Sequence, residues 1–144
     1  MNYESTTEVE SRSHPGVRLR VRRMSFGRRL ELTRQVKDLV SRMEFLRAGD
    51  GGPQDEAEAA VLGAEVDRAY LSWGLAEVAG LEIDGVEATP GVLVESGPEE
   101  LVAEALEAVR AEAGLSENER KNSESPSTLS TDAKPRGSAT IVAA

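Results

Sequence analysis

Apolar positions along this chain change their period several times, and each change marks an element. Residues 1–15 (MNYESTTEVESRSHP) show no period and are expected to form a disordered arm. Val17, Leu19 and Val21 then alternate with Arg18, Arg20 and Arg22, the period of a half-buried strand. An all-arginine outer face suits an edge protected from pairing with other chains, and so short a run reads equally as an extended basic arm. Ser25 is placed to cap a helix reaching Ala48. Along it Leu32, Val36, Leu39, Met43 and Leu46 follow at spacings of four, three, four and three, one apolar stripe, with Phe26 and Leu30 extending the buried face. Gly49 to Gly52 stop this helix, and Pro53 suits the first turn of the next, with Asp55, Glu56 and Glu58 at the positive end of its dipole. Leu62, Val66, Ala69 and Trp73 share one face of the second helix, with Tyr70 beside them. That helix is expected to end near Val78, and Gly74 inside it to mark a close approach of two helices. The short glycine-rich join makes the pair an antiparallel hairpin.

Leu81 to Glu87 has the form of a small β-hairpin, because Asp84-Gly85 is the preferred pair for a type I′ turn. Leu81, Ile83 and Val86 are candidates for its inward face. Thr89-Pro90 supplies a cap and a first-turn proline for a short helical turn ending at Ser96-Gly97. Pro98 opens a third long helix, in which Leu101, Val102, Ala105, Leu106 and Val109 form the buried face and Gly114 ends it. Ser116 and Glu119 have capping-box spacing, enough for a frayed turn. The Ser, Thr, Pro and Lys of the remainder indicate a disordered polar tail over 116–144. The expected fold is mainly α: a small helical domain over 16–115 with three main helices and a short β-hairpin, between disordered termini.

Composition narrows this picture. Aromatics make up 3% of the 144 residues, which suits a small helical core rather than a deep pocket or a β-sandwich. No apolar run is long enough to span a membrane, the polar acidic N-terminus is unlike a secretory signal, and cysteine is absent; a cytoplasmic location is the expectation. The net charge of −9 conceals a segregation. Residues 12–47 carry eleven Arg or Lys against three acidic residues, a balance of +8, whereas residues 50–107 carry fifteen acidic residues against Arg68 alone, a balance of −14. Such blocks attract one another within the fold, or between copies head to tail. The basic block also suits nucleic acid or an acidic partner, although an acidic protein is repelled by phosphate backbones.

Catalytic parts are few. His14 is the single histidine and falls in the arm beside Pro15, so with no cysteine neither a zinc site nor Ser-His-Asp chemistry has its residues. A paired Asp or Glu site is the one catalytic set for which the chain has the residues, but nearly all of its carboxylates fall on outward helix positions or near helix starts, where solvation is the expected role. Gly49 to Gly52 lack the Lys-Ser/Thr ending of a phosphate loop, and Asp84-Gly85 lacks the alternating oxygen ligands of a calcium loop. The chain is expected to have no enzymatic activity and no cofactor. Trp73 has two readings: at helical spacing with Leu62 and Val66 it is core, and exposed beside Tyr70 it is a binding hot spot.

The FGRRLELTRQVKDL opening of the first helix, Phe45 to Gly49, and the Tyr70-x-x-Trp-Gly unit belong to one general pattern along the chain. So do Gly80-Leu-x-Ile-Asp-Gly, Ala88-Thr-Pro, Gly97-Pro-Glu-x-Leu and GLSENERKNSESP. Over Phe26 through Asn122 this pattern resembles a group of small phage and prophage proteins known as tail assembly chaperones. The resemblance implies a non-enzymatic, protein-binding helper in tail assembly. Its partner would be a tape-measure or tail-tube protein, with the long tape-measure helix kept soluble. Arg28, Arg29, Arg34, Tyr70 and Trp73 are the candidate partner-binding residues. Two other readings stand beside it: a DNA-associated regulatory module using the Arg-rich segment 18–47, and a small acidic adaptor with an unrelated protein partner. Nothing in the sequence assigns the oligomeric state.

Overall fold

The protein is described by a computed structural model covering residues 1–49 and 51–114. The expected polar tail and its Ser116 turn lie outside the described residues.

The arginine-rich run is a strand, as its alternation indicates, but it lies in the middle of a sheet. β1 (Thr6–Glu10) and β3 (Leu75–Ala79) flank β2 (Arg18–Arg22), and both pair with it antiparallel. Two expectations are corrected here. Residues 1–15 are not wholly an unstructured arm, because Thr6 to Glu10 form β1, and the arginine face does not guard an edge. The reason is charge. Glu8 stands opposite Arg20 and Glu10 opposite Arg18 across one ladder, while Glu77 stands opposite Arg20 across the other. Arg20 Nε lies 3.6 Å from Glu77 and Arg18 Nε 3.8 Å from Glu8, so two of the three arginines are matched by glutamates, one from each flanking strand. On the opposite face Leu19 and Val21 are fully buried.

From β2 the chain enters α1 (Phe26–Ala48), whose Ser25 side chain accepts the Arg28 N–H as an N-cap. α2 (Pro53–Gly74) returns along it, with Met43 of α1 against Gly63 of α2. α2 stops at Gly74 rather than near Val78, because Leu75 to Ala79 pair with β2 as β3. Gly74 is a point of close approach: an added Cβ would lie 2.5 Å from Val109 Cγ1. β4 (Glu82–Ile83) and β5 (Val86–Glu87) form the expected hairpin, with Asp84 at φ 54° and Gly85 at φ 79° in its turn. Val86 is exposed, so only Leu81 and Ile83 turn toward the core. α3 (Pro90–Ser96) is capped by Thr89 Oγ1, which accepts the Val92 N–H, and α4 (Glu99–Glu112) follows directly.

The core lies between the inner face of the sheet and α2, α3 and α4. Leu19, Val21, Leu93, Leu101 and Val109 are its most completely enclosed large side chains. α1 is different. It packs on α2 and makes no comparable contact with any other described element, and Leu32 is the one fully buried residue among its 23. The expected extension of its buried face also fails, since Phe26 is 90% exposed and Leu30 46%. Helical spacing puts Leu30 on the far side of the helix from Leu32 and Phe26 about a third of a turn from it. Among the described residues no helix is long and apolar enough to cross a membrane.

Candidate partner-binding surface

The five candidate residues separate once placed. Trp73 and Tyr70 lie inside the core, 5% and 8% exposed, so neither is an exposed hot spot. The Arg110 guanidinium of α4 sits 5.0 Å over the Tyr70 ring and pairs with Asp67, one turn earlier on α2. Arg28 is a latch, donating from Nη1 to the Ser5 carbonyl at 2.6 Å and to the Arg23 carbonyl at 2.9 Å, which ties the start of β1 to the start of α1. Arg29 reaches the Ala113 carbonyl at the end of α4, at 3.4 Å. Arg34 alone of the five is exposed without a hydrogen bond or ion pair among the described residues.

A different surface remains open. Where α1 and α2 run together, a groove follows one side of their seam. Near the base it has Leu39, Ala69, Val94 and Pro90 in its wall, with the Arg68–Glu95 pair at its rim. Further out it is lined by Arg42, Phe45, Leu46, Glu58 and Leu62. Gln35, Leu39, Arg42 and Leu46 on α1, and Glu58, Leu62, Glu65, Ala69 and Ser72 on α2, repeat at helical spacing, so the two stretches are one continuous line. From Glu58 to Ser72 it extends about 21 Å, or roughly four helical turns. Phe45, in its lining, is 78% exposed, and Val61, on the same face of α2 between Glu58 and Glu65, is 56% exposed, while Leu39, Leu46 and Ala69 in the lining are half-buried. Sequence reasoning missed this surface because Phe45 and Val61 lie outside the apolar stripes that define the two helices.

A second cluster was also unforeseen. His14 is held in the β1–β2 connection, which docks on α4 through one carboxylate. Glu104 accepts the Ser11 hydroxyl and the Arg12 N–H, each at 2.7 Å, and also the Ser13 hydroxyl. These donors, the Ser11 hydroxyl first, hold its carboxyl at about 2, well below the usual 4.5. Arg12 adds ion pairs to Glu104 at 3.6 Å and to Glu107 at 3.3 Å. His14 Nδ1 lies 2.9 Å from Ser13 Oγ, so serine, histidine and glutamate meet here. Their order is not that of a nucleophilic triad. Ser13 has one hydroxyl proton and gives it to Glu104, which leaves His14 Nδ1 to donate to Ser13 rather than to withdraw its proton. The cluster is a clamp.

No protein family matches this chain, and neither a curated protein nor a solved structure is similar to it.

Proposed function

We propose that this protein is a non-enzymatic binding factor in the assembly of a phage or prophage tail, holding a helical segment of a tape-measure-type partner in the groove between α1 and α2. The observation that carries this reading is the groove itself, about four turns long, with exposed Phe45 and Val61 on the outer half of a hairpin whose inner half is seated in the core. An amphipathic helix laid there covers both side chains, while Arg42, Glu58 and Glu65 along the line offer charges of both signs to its polar flanks. The resemblance over Phe26 through Asn122 supplies the class of partner. The DNA-associated alternative, which draws on segment 18–47, has less support, because Arg18 and Arg20 are paired with glutamates and Arg28 and Arg29 are taken up by backbone carbonyls.

The test begins with the DNA flanking the gene. A tail-tube gene on one side and a long, helix-rich tape-measure gene on the other are expected. Coexpression should then keep the tape-measure protein soluble, and Phe45→Glu should abolish that effect while the protein itself stays folded. Neighbours unrelated to virion structure, or a partner equally insoluble with and without this protein, would refute the proposal and leave an adaptor with another partner.

A further inference from the structure

We infer that, in the absence of a partner, two copies of this chain cover each other's grooves by packing the outer halves of their α1–α2 hairpins face to face into a four-helix bundle.

The first argument is the state of α1 in the single chain. Its apolar stripe after Leu32 is only half covered, and Phe45 on its flank is open to solvent. A helix about 34 Å long that packs on one neighbour leaves much of its apolar side facing water.

The second argument is charge, and it selects the occupant. α1 carries six cationic residues against three acidic ones; α2 carries five acidic residues against Arg68 alone. A two-fold axis along the hairpin sets each α1 over the partner copy's α2, so every neighbouring pair of helices in the bundle joins a basic helix to an acidic one. Arg42 and Glu58 line the same stretch of groove, so the axis brings Arg42 of one copy to the level of Glu58 and Glu65 of the other. It also brings Phe45 of one copy against Val61 of the other. The base of the hairpin, where α3 borders the groove, stays outside the contact.

The masking of the groove from other helices rests on the functional reading above; the self-association does not. Sedimentation equilibrium of the full chain tests it. Wild type should weigh twice the chain mass at micromolar concentration, and Phe45→Glu should be monomeric with unchanged helical circular dichroism. Arg42→Glu alone, and Glu58→Lys/Glu65→Lys alone, should each dimerise at least roughly tenfold more weakly, because the two-fold repeats every unfavourable contact. Mixed in equal amounts, those two variants should recover dimerisation, since the mixed pair matches charges at both contacts. A wild type that stays monomeric at millimolar concentration overturns the inference and leaves the groove to a partner helix. A dimer indifferent to these substitutions, or no recovery on mixing, overturns it equally. The chaperone reading is decided separately, by coexpression with the neighbouring gene product.

Discussion

Replacing Gly74 by alanine tests the closest contact in the fold. The new Cβ would stand 2.5 Å from Cγ1 and 2.9 Å from Cγ2 of Val109, a fully buried side chain. Val109 cannot swing aside, because a β-branched residue inside a helix has one favoured rotamer. Overpacking of this kind costs about 1–3 kcal/mol. The gain in helix propensity from glycine to alanine offsets at most ~1 kcal/mol, and less at the last residue of α2. The expected net loss is therefore about 1–2 kcal/mol. Val109→Ala removes two buried carbons at ~0.8 kcal/mol each and leaves a small cavity, for a loss of about 2–3 kcal/mol. In the double variant the clashing methyl groups are gone, and the methyl group introduced on α2 fills part of the space. Its loss should fall short of the sum of the single losses by about 1–2 kcal/mol. Urea unfolding followed by the emission of the single tryptophan, Trp73, measures all three variants on one signal. Losses that add to within ~0.5 kcal/mol, or a neutral Gly74→Ala, would refute the argument that α2 and α4 are locked at this point.

Two further expectations concern the clamp and the core. The Glu104 carboxyl sits at about 2 in the folded protein against 4.5 ordinarily, so its contribution is complete above pH 4.5 and is lost as the pH falls toward 2. Acid titration should accordingly destabilise wild type across that window more than Glu104→Gln, which lacks the titrating group; identical acid profiles would show that the clamp adds nothing. Trp73, at 5% exposure, should emit in the blue and resist acrylamide quenching in the native protein; a red, readily quenched emission would mean that α2 is not seated on the core.

What the sequence disclosed follows the range of the forces involved. Ser25, Thr89 and the Asp84-Gly85 turn act within a few residues, and each lies where its local chemistry indicates. The termination of α2 depends on distant partners. Leu75 to Ala79 contain leucine, alanine and glutamate, good helix formers, yet pairing with β2 more than fifty residues earlier makes them a strand. β1 escaped for a related reason: TTEVE has only Val9 as a large apolar residue, and its signal is an alternation of glutamate that becomes visible only against the arginines of RLRVR. At the candidate surface, the sequence picked out aromatic and basic residues by type. Burial then assigned Tyr70 and Trp73 to the core, while carbonyl groups took up Arg28 and Arg29. The exposure of Phe45 and Val61 depends on which elements α1 lacks as neighbours, and no local pattern encodes that.

The chain leaves the sheet after Arg22 and rejoins it at Leu75, and Val21 and Leu75 are direct partners in the ladder. The whole α1–α2 hairpin is therefore an excursion that begins and ends at adjacent points on one sheet. Its length is uncoupled from the register of the strands. Adding a matched heptad to each helix lengthens the hairpin by about 10 Å and keeps its apolar seam nearly in phase. Below it, no strand, cap or buried side chain has to move. The fold thus separates a fixed base from an arm of adjustable reach, and arms of different length can be carried by the same core.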